Sequence, residues 1–401
     1  MTGVPGKGVL IVGGGLVGAV AALALARCGL PVMLMERSRP VPSAGRFQMD
    51  VRNVALAPAS RALLDDLGIW RRLQPAPYVR MEVWEERGTE AMVFSAEEAG
   101  RSELGWIVEN SSALQALWSA LASEPGVRLL LGERLLAIEE DASRVCVTTE
   151  SGSYEAQLLI GVDGARSTVR ELCDVKLSSF PTGHEALATL VRTRRPHEAA
   201  ALQRFLLDGP LALLPSREPD ISSVVWSQSP EQAQRRLAMS DAVFCTEIGR
   251  AIEHRLGDVV AVAERYRFPL SQQLVADFNP SNRVLLIGDA ARVVHPLAGQ
   301  GANIGFEDVR ELLAGIDALP AQADPGSPGL WRAFARRRRA RAQFMLRLMS
   351  GFRQVYAADT PTLQWLRNVG VGWLNRTRPL KQQLIREALG IGPLAGRANA
   401  S

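Results

Sequence analysis

Residues 9–37 read VLIVGGGLVGAVAALALARCGLPVMLMER, a short apolar run followed by a glycine turn, an Ala/Leu-rich segment and a second apolar run. The first four residues have the composition of a buried β-strand. Gly13, Gly15 and Gly18 supply the spacing G-x-G-x-x-G before the helix-forming segment, and Glu36 ends the second run. This order of strand, turn, helix, strand and acid is the fingerprint of a dinucleotide-binding βαβ unit.

Each part of the turn has a predicted task. Gly13 permits the tight turn, Gly15 lets the backbone approach a pyrophosphate, and Gly18 lets the helix pack on the strand. Glu36 would accept hydrogen bonds from ribose hydroxyls. The residues assigned to the dinucleotide here are Gly13, Gly15, Leu16, Val17, Gly18, Glu36 and Arg37. The fingerprint does not distinguish FAD from NAD, and a tight turn with a purely structural role remains the alternative.

Composition limits the classes of protein to consider. With 401 residues and 47% hydrophobic content, the chain can bury one large core or two smaller ones, and we favour two lobes. A net charge of +4 is too small to indicate nucleic-acid binding. The four cysteines lack C-x-x-C spacing, so we expect no metal site, no disulfide scaffold and a reduced cytoplasmic compartment. No apolar run reaches the roughly 18 residues that span a bilayer.

Two later motifs extend the nucleotide signal. One apolar run ends at Asp163-Gly164, which Arg166 follows, and another ends at Gly288-Asp289 before the glycine-rich loop 296–303. An aspartate at a strand end can hold a sugar hydroxyl. A loop with little side-chain bulk can press its backbone against a flat ring and offer its amides. Taken alone, Asp163-Gly164 is better explained as a good turn.

The order of the three motifs resembles that of the class A flavoprotein hydroxylases, which have the para-hydroxybenzoate hydroxylase-like fold. Within them, the chain is most similar to the hydroxylases of ubiquinone biosynthesis. The matching motifs are Arg52-Asn53-Val54-Ala55-Leu56, Gly209-Pro210-Leu211-Ala212-Leu213-Leu214-Pro215, Val225-Trp226-Ser227, Phe268-Pro269-Leu270 and His295-Pro296-Leu297-Ala298-Gly299-Gln300-Gly301 with Asn303.

The resemblance implies FAD, NAD(P)H as a transient reductant, and O2. It also implies hydroxylation of a lipophilic polyprenylated phenol or quinol through a flavin C4a-hydroperoxide. The further cofactor residues it implies are Arg52, Gln115, Asp163, Arg166, Gly288, Asp289, Pro296, Gly299, Gln300, Gly301, Ala302 and Asn303. Pro296 would also shape the space for oxygen transfer. His295 would either help to bind or deprotonate a phenol or be a structural histidine, and we favour the structural role.

The expected fold is α/β, with a discontinuous Rossmann-like FAD-binding lobe, an inserted and mainly antiparallel substrate lobe, and a C-terminal helical region. We expect one helix in the substrate lobe, near residues 241–255. The predicted boundaries are 1–78, 105–178 and 271–325 for the FAD-binding lobe, 79–104 and 179–270 for the substrate lobe, and 326–401 for the helical region.

Four consecutive arginines, 336–339, lie inside a predicted C-terminal helix. We expect the helix to pack on the nucleotide lobe with these arginines in solvent. The alternative is a basic amphipathic surface that contacts either the inner face of a membrane or a partner in a multiprotein quinone-biosynthesis complex. We therefore expect a cytoplasmic protein, with peripheral membrane contact as the alternative.

Other functions stay open at this point. A class A hydroxylase of a soluble phenolic compound and a non-catalytic flavoprotein subunit of a biosynthetic complex would both carry the same motifs. An NAD-only dehydrogenase would share the first fingerprint. A flavin halogenase would be expected to show W-x-W-x-I-P, and no tryptophan of the chain lies in such a segment.

Overall fold

The structure is a computed structural model that describes residues 8–41, 43, 45–86, 91–294, 301–320 and 323–357, with side chains up to Arg347 in the last helix. Its helices are α1 Leu16–Arg27, α2 Pro58–Asp66, α3 Asn110–Ser123, α4 Thr168–Leu172, α5 Pro230–Ala238, α6 Asp241–Ala251, α7 Gly301–Asp317 and α8 Arg332–Ala357. Its strands are β1 Val9–Val12, β2 Val32–Glu36, β3 Asn53–Leu56, β4 Ala76–Tyr78, β5 Arg80–Glu85, β6 Met92–Ser95, β7 Gly105–Glu109, β8 Val127–Leu131, β9 Leu135–Glu140, β10 Val145–Thr149, β11 Ser153–Ala156, β12 Leu158–Gly161, β13 Leu177–Thr193, β14 Ala200–Leu206, β15 Gly209–Pro215, β16 Ile221–Gln228, β17 Val259–Val262, β18 Tyr266–Val275, β19 Val284–Leu286 and β20 Arg292–Val293.

A five-stranded parallel sheet forms the centre of one lobe, with the strand order β8-β2-β1-β12-β19. Numbered along the chain, these strands lie in the order 3-2-1-4-5, which is the Rossmann arrangement. The order reverses between β1 and β12. In such sheets the ligand lies at this point, beyond the carboxyl ends of the strands.

Both faces of the parallel sheet are covered, which explains why its central strands β1 and β12 are continuously apolar. Val9 and Ile11 of β1 point into a core shared with α1, α3 and α7. Leu10 and Val12 point into a second core, shared with the small antiparallel sheet β9-β10-β11 and with α8. The lobe therefore has three layers.

A nine-stranded sheet forms the second lobe, and all of its pairings are antiparallel except that of β14 with β5. One face packs on α6 through Trp226 and Phe244. The opposite face packs on Met49 and Val51, which follow the β2 strand of the first lobe along the chain. The α/β class with a mainly antiparallel second lobe is thus confirmed, whereas the exact domain boundaries stay a prediction.

Two expectations about helices are wrong in part. The second lobe has two helices where one was expected, because Ser229 caps an additional helix, α5, by accepting a hydrogen bond from the Gln232 amide. In α8, three of the four consecutive arginines are exposed as expected, but Arg338 is 2% exposed and ion-paired. A full set of acidic partners makes its burial tolerable.

The rest of the C-terminal region, residues 358–401, lies outside the described residues. Among the helices that the structure describes, none combines the length and the apolarity needed to cross a bilayer.

Candidate functional site

The three sequence motifs meet at one edge of the parallel sheet. The glycine turn follows β1, Asp163 follows β12, and Gly288-Asp289 follows β19. These three strands are neighbours, and the carboxyl ends of parallel strands share an edge. The motifs are therefore brought together at the switch point, although residues 13 and 289 are far apart in the chain.

The three glycines of the turn have different surroundings. Gly13 has φ +112°, and a Cβ on it would lie 2.4 Å from the Val162 carbonyl oxygen. A Cβ on Gly18 would lie 1.9 Å from the Gly13 carbonyl oxygen, so helix α1 packs on the turn only because Gly18 has no side chain. A Cβ on Gly15 would meet no atom of the described residues within 4 Å. The backbone at Gly15 thus faces open space where a ligand can approach.

The first turn of α1 is suited to an anion. No side chain caps this helix end, where Gly15 is the N-cap residue. Leu16 and Val17 begin the helix, and amides in the first turn of a helix have no partner within it. Together with the helix dipole, these amides favour a negatively charged group. This geometry fits the diphosphate of a dinucleotide.

Glu36 and Arg37 lie beside the glycine turn. Glu36 Oε2 accepts a hydrogen bond of 2.6 Å from the Gly14 amide, and its Oε1 accepts one of 2.8 Å from the Arg37 amide. The Arg37 side chain is exposed. Trp118 on α3 donates from Nε1 to the Gly14 carbonyl oxygen at 2.9 Å, a contact that sequence reasoning missed. Each carboxylate oxygen of Glu36 has a further acceptor site that a ribose hydroxyl can use.

Asp163 has one satisfied and one unsatisfied oxygen. Its Oδ2 accepts from the Thr168 amide at 2.7 Å and the Val169 amide at 3.2 Å, which fixes the carboxylate at the start of α4. Its Oδ1 is buried and has no donor in the described part of the chain. A buried acceptor without a partner is costly, so this oxygen fits a donor supplied by a ligand.

The two arginines near Asp163 differ. Arg166, which sequence reasoning selected, is exposed. Arg170 is buried and donates to the carbonyl oxygens of Ala165, at 2.9 Å, and of Ala290, at 3.2 Å. It therefore ties the loop after β12 to the turn after β19. Arg170 follows the Asp-Gly motif in a polar stretch, and no sequence pattern distinguished it from Arg166.

The turn after β19 places Asp289 next to a left-handed glycine. Gly288 has φ +59°, and its amide donates to Asp308 Oδ2 on α7 at 2.9 Å. The Asp289 side chain is exposed to solvent, although many protein atoms lie near its carboxyl group. This desolvation raises the pKa of its carboxyl, and the charge of Arg292 opposes the increase. Such a carboxylate gains from a hydroxyl donor.

Arg52 and Gln115 are both exposed, and Asp50, which links the segments that carry them, was missed. Asp50 is 2% exposed and accepts from the Arg52 amide at 2.9 Å and from the Ser111 amide at 3.1 Å. It thereby holds the strand that follows Arg52 against the start of α3, which carries Gln115. The local signal for this role was weak. An aspartate that accepts from the amide two residues later, as Asp50 does from Arg52, is a common turn pattern.

The start of α7 is fixed by Asn303. Its Oδ1 accepts from the Ala57 amide at 2.9 Å and from Ser60 Oγ at 2.6 Å, and its Nδ2 donates to the Ala55 carbonyl oxygen at 2.7 Å. Gly301 begins this helix, and Ala302 packs on the core shared with α1. The remaining candidates, His295, Pro296, Gly299 and Gln300, lie outside the described residues.

Comparison with known proteins agrees with this geometry. Residues 7–348 match the family described as FAD binding domain. The 3-demethoxyubiquinol 3-hydroxylase of Escherichia coli is 34% identical over 96% of this chain and 98% of its own length. The ubiquinone hydroxylase UbiL of Rhodospirillum rubrum is 33% identical over 96% of this chain and 90% of its own.

The chain belongs to the ubiquinone-hydroxylase family of FAD-dependent monooxygenases. The predicted family, the enzyme class and the FAD cofactor are thus confirmed. The solved structure of the p-nitrophenol 4-monooxygenase of Pseudomonas putida superposes with a TM-score of 0.75 at 19% identity. The superposition covers 98% of this chain and 99% of the Pseudomonas putida chain. At that identity the likeness supports the fold alone.

Proposed function

We propose that this monooxygenase hydroxylates the aromatic ring of a lipophilic, polyprenylated phenol or quinol in ubiquinone biosynthesis. The names of the two relatives support this substrate class. Bound FAD, reduced by NAD(P)H, would activate O2, so that one oxygen atom enters the ring and the other leaves as water. The protein itself has to bind, orient and shield the reactants from bulk water.

We assign cofactor binding to the edge where the three motifs meet. The first turn of α1 would hold the diphosphate, Glu36 the ribose, and Asp289 a ribityl hydroxyl. The buried Oδ1 of Asp163 would accept from a further ligand donor. Arg52, Gln115, Arg166 and the segment 295–303 keep the cofactor or catalytic roles expected from the sequence as proposals.

An open aromatic surface on the second lobe is the observation that carries the substrate assignment. Tyr266 and Phe268 are 55% and 41% exposed, and they pair across the sheet with Ala188 and Ala186. Paired residues of antiparallel strands point to the same face. Ala188 packs with Met49 on the face that looks toward the first lobe. The two aromatic rings therefore lie on that face and offer apolar contact to a prenylated ring.

Product analysis tests the substrate. The FAD-loaded enzyme would receive NADH or NADPH, O2 and either a detergent-dispersed prenylated phenol or a short soluble phenol. We expect a hydroxylated product from the prenylated compound and accumulation of one under-hydroxylated precursor in a deletion strain. Turnover of soluble phenols alone would instead assign a soluble phenolic substrate. An unchanged quinone pool together with no turnover would indicate a non-catalytic subunit.

A pair of variants tests the aromatic surface. Replacing Phe268 with Ser removes an apolar contact, and we expect the KM for the prenylated phenol to rise about tenfold or more. Val243 is a matched control, because it is an apolar residue with 53% exposure. It belongs to α6, which packs on the opposite face of the sheet. Val243→Ser is expected to leave KM unchanged. Equal KM values for wild type and Phe268→Ser would move the substrate elsewhere.

We also propose that the exposed side of α8 contacts an anionic membrane surface peripherally. Arg332, Arg336 and Arg339 are exposed and line a cavity of about 620 Å³ together with Glu140 and the loop 276–282. Clustered basic side chains favour an anionic lipid surface. Such contact would bring the enzyme to a substrate dissolved in the membrane.

Flotation with vesicles of anionic and of neutral lipid tests the contact. We expect association with anionic vesicles at low salt, less at moderate salt, and loss when the three arginines are changed to Gln. Retention by neutral vesicles would contradict the electrostatic contact. Association that requires other quinone-biosynthesis proteins would assign this surface to a partner instead.

A further inference from the structure

A buried carboxylate joins the cofactor turn, which is Gly288-Asp289 after β19, to helix α8. Asp308 on α7 has no exposed surface. It accepts hydrogen bonds from the Gly288 amide at 2.9 Å, from Arg292 Nη1 at 2.6 Å and from Arg338 Nε at 2.5 Å. One side chain thus holds the turn that carries Asp289 and a helix from a distant part of the sequence.

The charges around Asp308 keep it ionised. Burial by itself raises the pKa of this carboxyl, but Arg292 and Arg338 outweigh that effect and lower it. Arg338 is further paired with Glu307 and Glu311, at 3.2 Å and 3.3 Å. A buried carboxylate next to two guanidinium groups is held in place strongly, because removing either partner leaves a buried charge uncompensated.

The same contacts restrict the position of the cofactor turn. Arg292 and Arg338 also donate to the Ile304 carbonyl oxygen, at 2.6 Å and 3.2 Å, so both guanidinium groups lie against the first turns of α7. Asp308 then has little freedom to move. Its bond to the Gly288 amide fixes the left-handed residue next to Asp289, the proposed ligand of the ribityl chain.

We propose that Arg338 is a positioning residue for the FAD site, acting through Asp308 on Gly288 and Asp289. Docking of α8 and binding of FAD are then coupled, so each favours the other. The proposal rests on FAD binding and not on the proposed substrate. It also places the exposed arginines of α8 on the helix whose inner side holds the cofactor turn.

A second buried arginine separates positioning from general stability. Arg283 is also 2% exposed and is ion-paired with Asp324 at 2.8 Å. It lies just before β19, at the opposite edge of the same sheet from Asp289. Arg283→Met is therefore a control for Arg338→Met, because both remove a buried, ion-paired guanidinium and only one of them acts on the cofactor turn.

Titration of cofactor-free protein with FAD, followed by flavin fluorescence, tests the proposal together with thermal unfolding of the same samples. We expect both Met variants to lower the Tm. Arg338→Met is expected to raise the Kd for FAD about 3- to 30-fold, whereas Arg283→Met changes it less than about twofold. Arg338→Lys, which keeps a charge near Asp308 but lacks the guanidinium fork, is expected to fall between wild type and Arg338→Met.

Limited trypsin digestion gives a readout independent of activity. The run 336–339 offers cleavage sites, and we expect FAD to slow cleavage there in the wild type but much less in Arg338→Lys. Equal Kd changes in the two Met variants would overturn the proposal. If Arg338→Met does not fold, a wild-type Kd and wild-type FAD protection in Arg338→Lys would overturn it as well.

Discussion

Polar groups at the two edges of the parallel sheet, where its strands begin and where they end, differ in whether they have hydrogen-bond partners. At the carboxyl edge, Asp163 has a buried oxygen that receives no hydrogen bond from the described residues, and desolvation raises the pKa of Asp289. At the amino edge, Arg283 donates to the carbonyl oxygens of Asp141 and Gln157, at 3.2 Å and 2.8 Å, and to the carboxylate of Asp324.

The difference separates structure from function within one sheet. A buried polar group that finds all its partners inside the protein stabilises the fold, as at Arg283. A buried polar group that lacks a partner costs stability and is retained where a ligand completes it, as we infer for Asp163. The desolvated carboxylate of Asp289 likewise gains from a ligand hydroxyl. Changes at the amino edge are then expected to alter folding alone, and changes at the carboxyl edge to alter FAD binding.

The largest expected effect is on stability at the amino edge. Arg283→Met leaves Asp324 without its guanidinium partner and several carbonyl groups without donors, so we expect the free energy of unfolding to fall by about 3–5 kcal/mol. Urea unfolding of the cofactor-free protein measures this loss. FAD affinity is expected to stay near the wild-type value at temperatures where the variant is folded. A parallel loss of affinity would remove the distinction between the edges.

The next effect concerns FAD binding at the carboxyl edge. Asp289→Ala removes the acceptor proposed for a ribityl hydroxyl, so we expect FAD binding to weaken by about 1–3 kcal/mol. Flavin content after dialysis and a fluorescence titration measure it. Glu264, a carboxylate of the second lobe that accepts from the Arg46 amide, provides a control through Glu264→Ala. Full flavin occupancy in Asp289→Ala would show that this residue is assigned wrongly.

A smaller effect on binding is expected at the glycine turn. Gly15 has φ −66°, which alanine adopts without strain, and its Cβ position is open. Gly15→Ala is therefore expected to keep the unfolding free energy of the apo protein within about 0.5 kcal/mol. The added methyl group would stand in the path of the diphosphate and weaken FAD binding by about 1 kcal/mol. Unchanged affinity, measured by the same titration, would place the diphosphate elsewhere.

The smallest effect is a pH-dependent gain in stability of the apo protein. Desolvation raises the pKa of Asp289 from its ordinary 3.8, so its ionised form is disfavoured in the fold and stability is lost as the pH rises through the folded pKa. Because the Asp289 side chain is exposed, solvent screening keeps the effect small, and Asp289→Asn is expected to raise the apo Tm at pH 7 by no more than about 2 °C. Thermal scans between pH 7 and pH 4 should show this gain shrinking. A constant or negative difference would contradict the assigned cause.

Much of the fold follows from local sequence. Strands Val127–Leu131 and Val145–Thr149 can be read from the sequence because their apolar residues are grouped or alternate clearly. The three cofactor motifs were found because each combines glycine or aspartate with the end of an apolar run. Their meeting at one edge follows from parallel pairing, which brings the carboxyl ends of strands together.

The missed features depend on partners far away in the chain. Asp308 and Arg338 show no periodic signal, and a run of four arginines suggests solvent exposure when its acidic partners are unknown. Helix α5 was missed because it is mostly polar and only Ala233 and Arg236 of its residues are buried, so few apolar residues mark its buried side. Its cap, Ser229 followed by Pro230, was the signal that could have found it.

The single parallel pairing in the large sheet has a consequence for synthesis of the protein. Arg80 of β5 pairs with Ala200 of β14, so the early hairpin cannot dock until a much later part of the chain has left the ribosome. The parallel sheet is likewise completed only when β19 pairs with β12. Such long-range pairings slow folding and leave strand edges exposed meanwhile. The nascent chain therefore passes through a long interval in which neither lobe can close, and this is when it most needs chaperones.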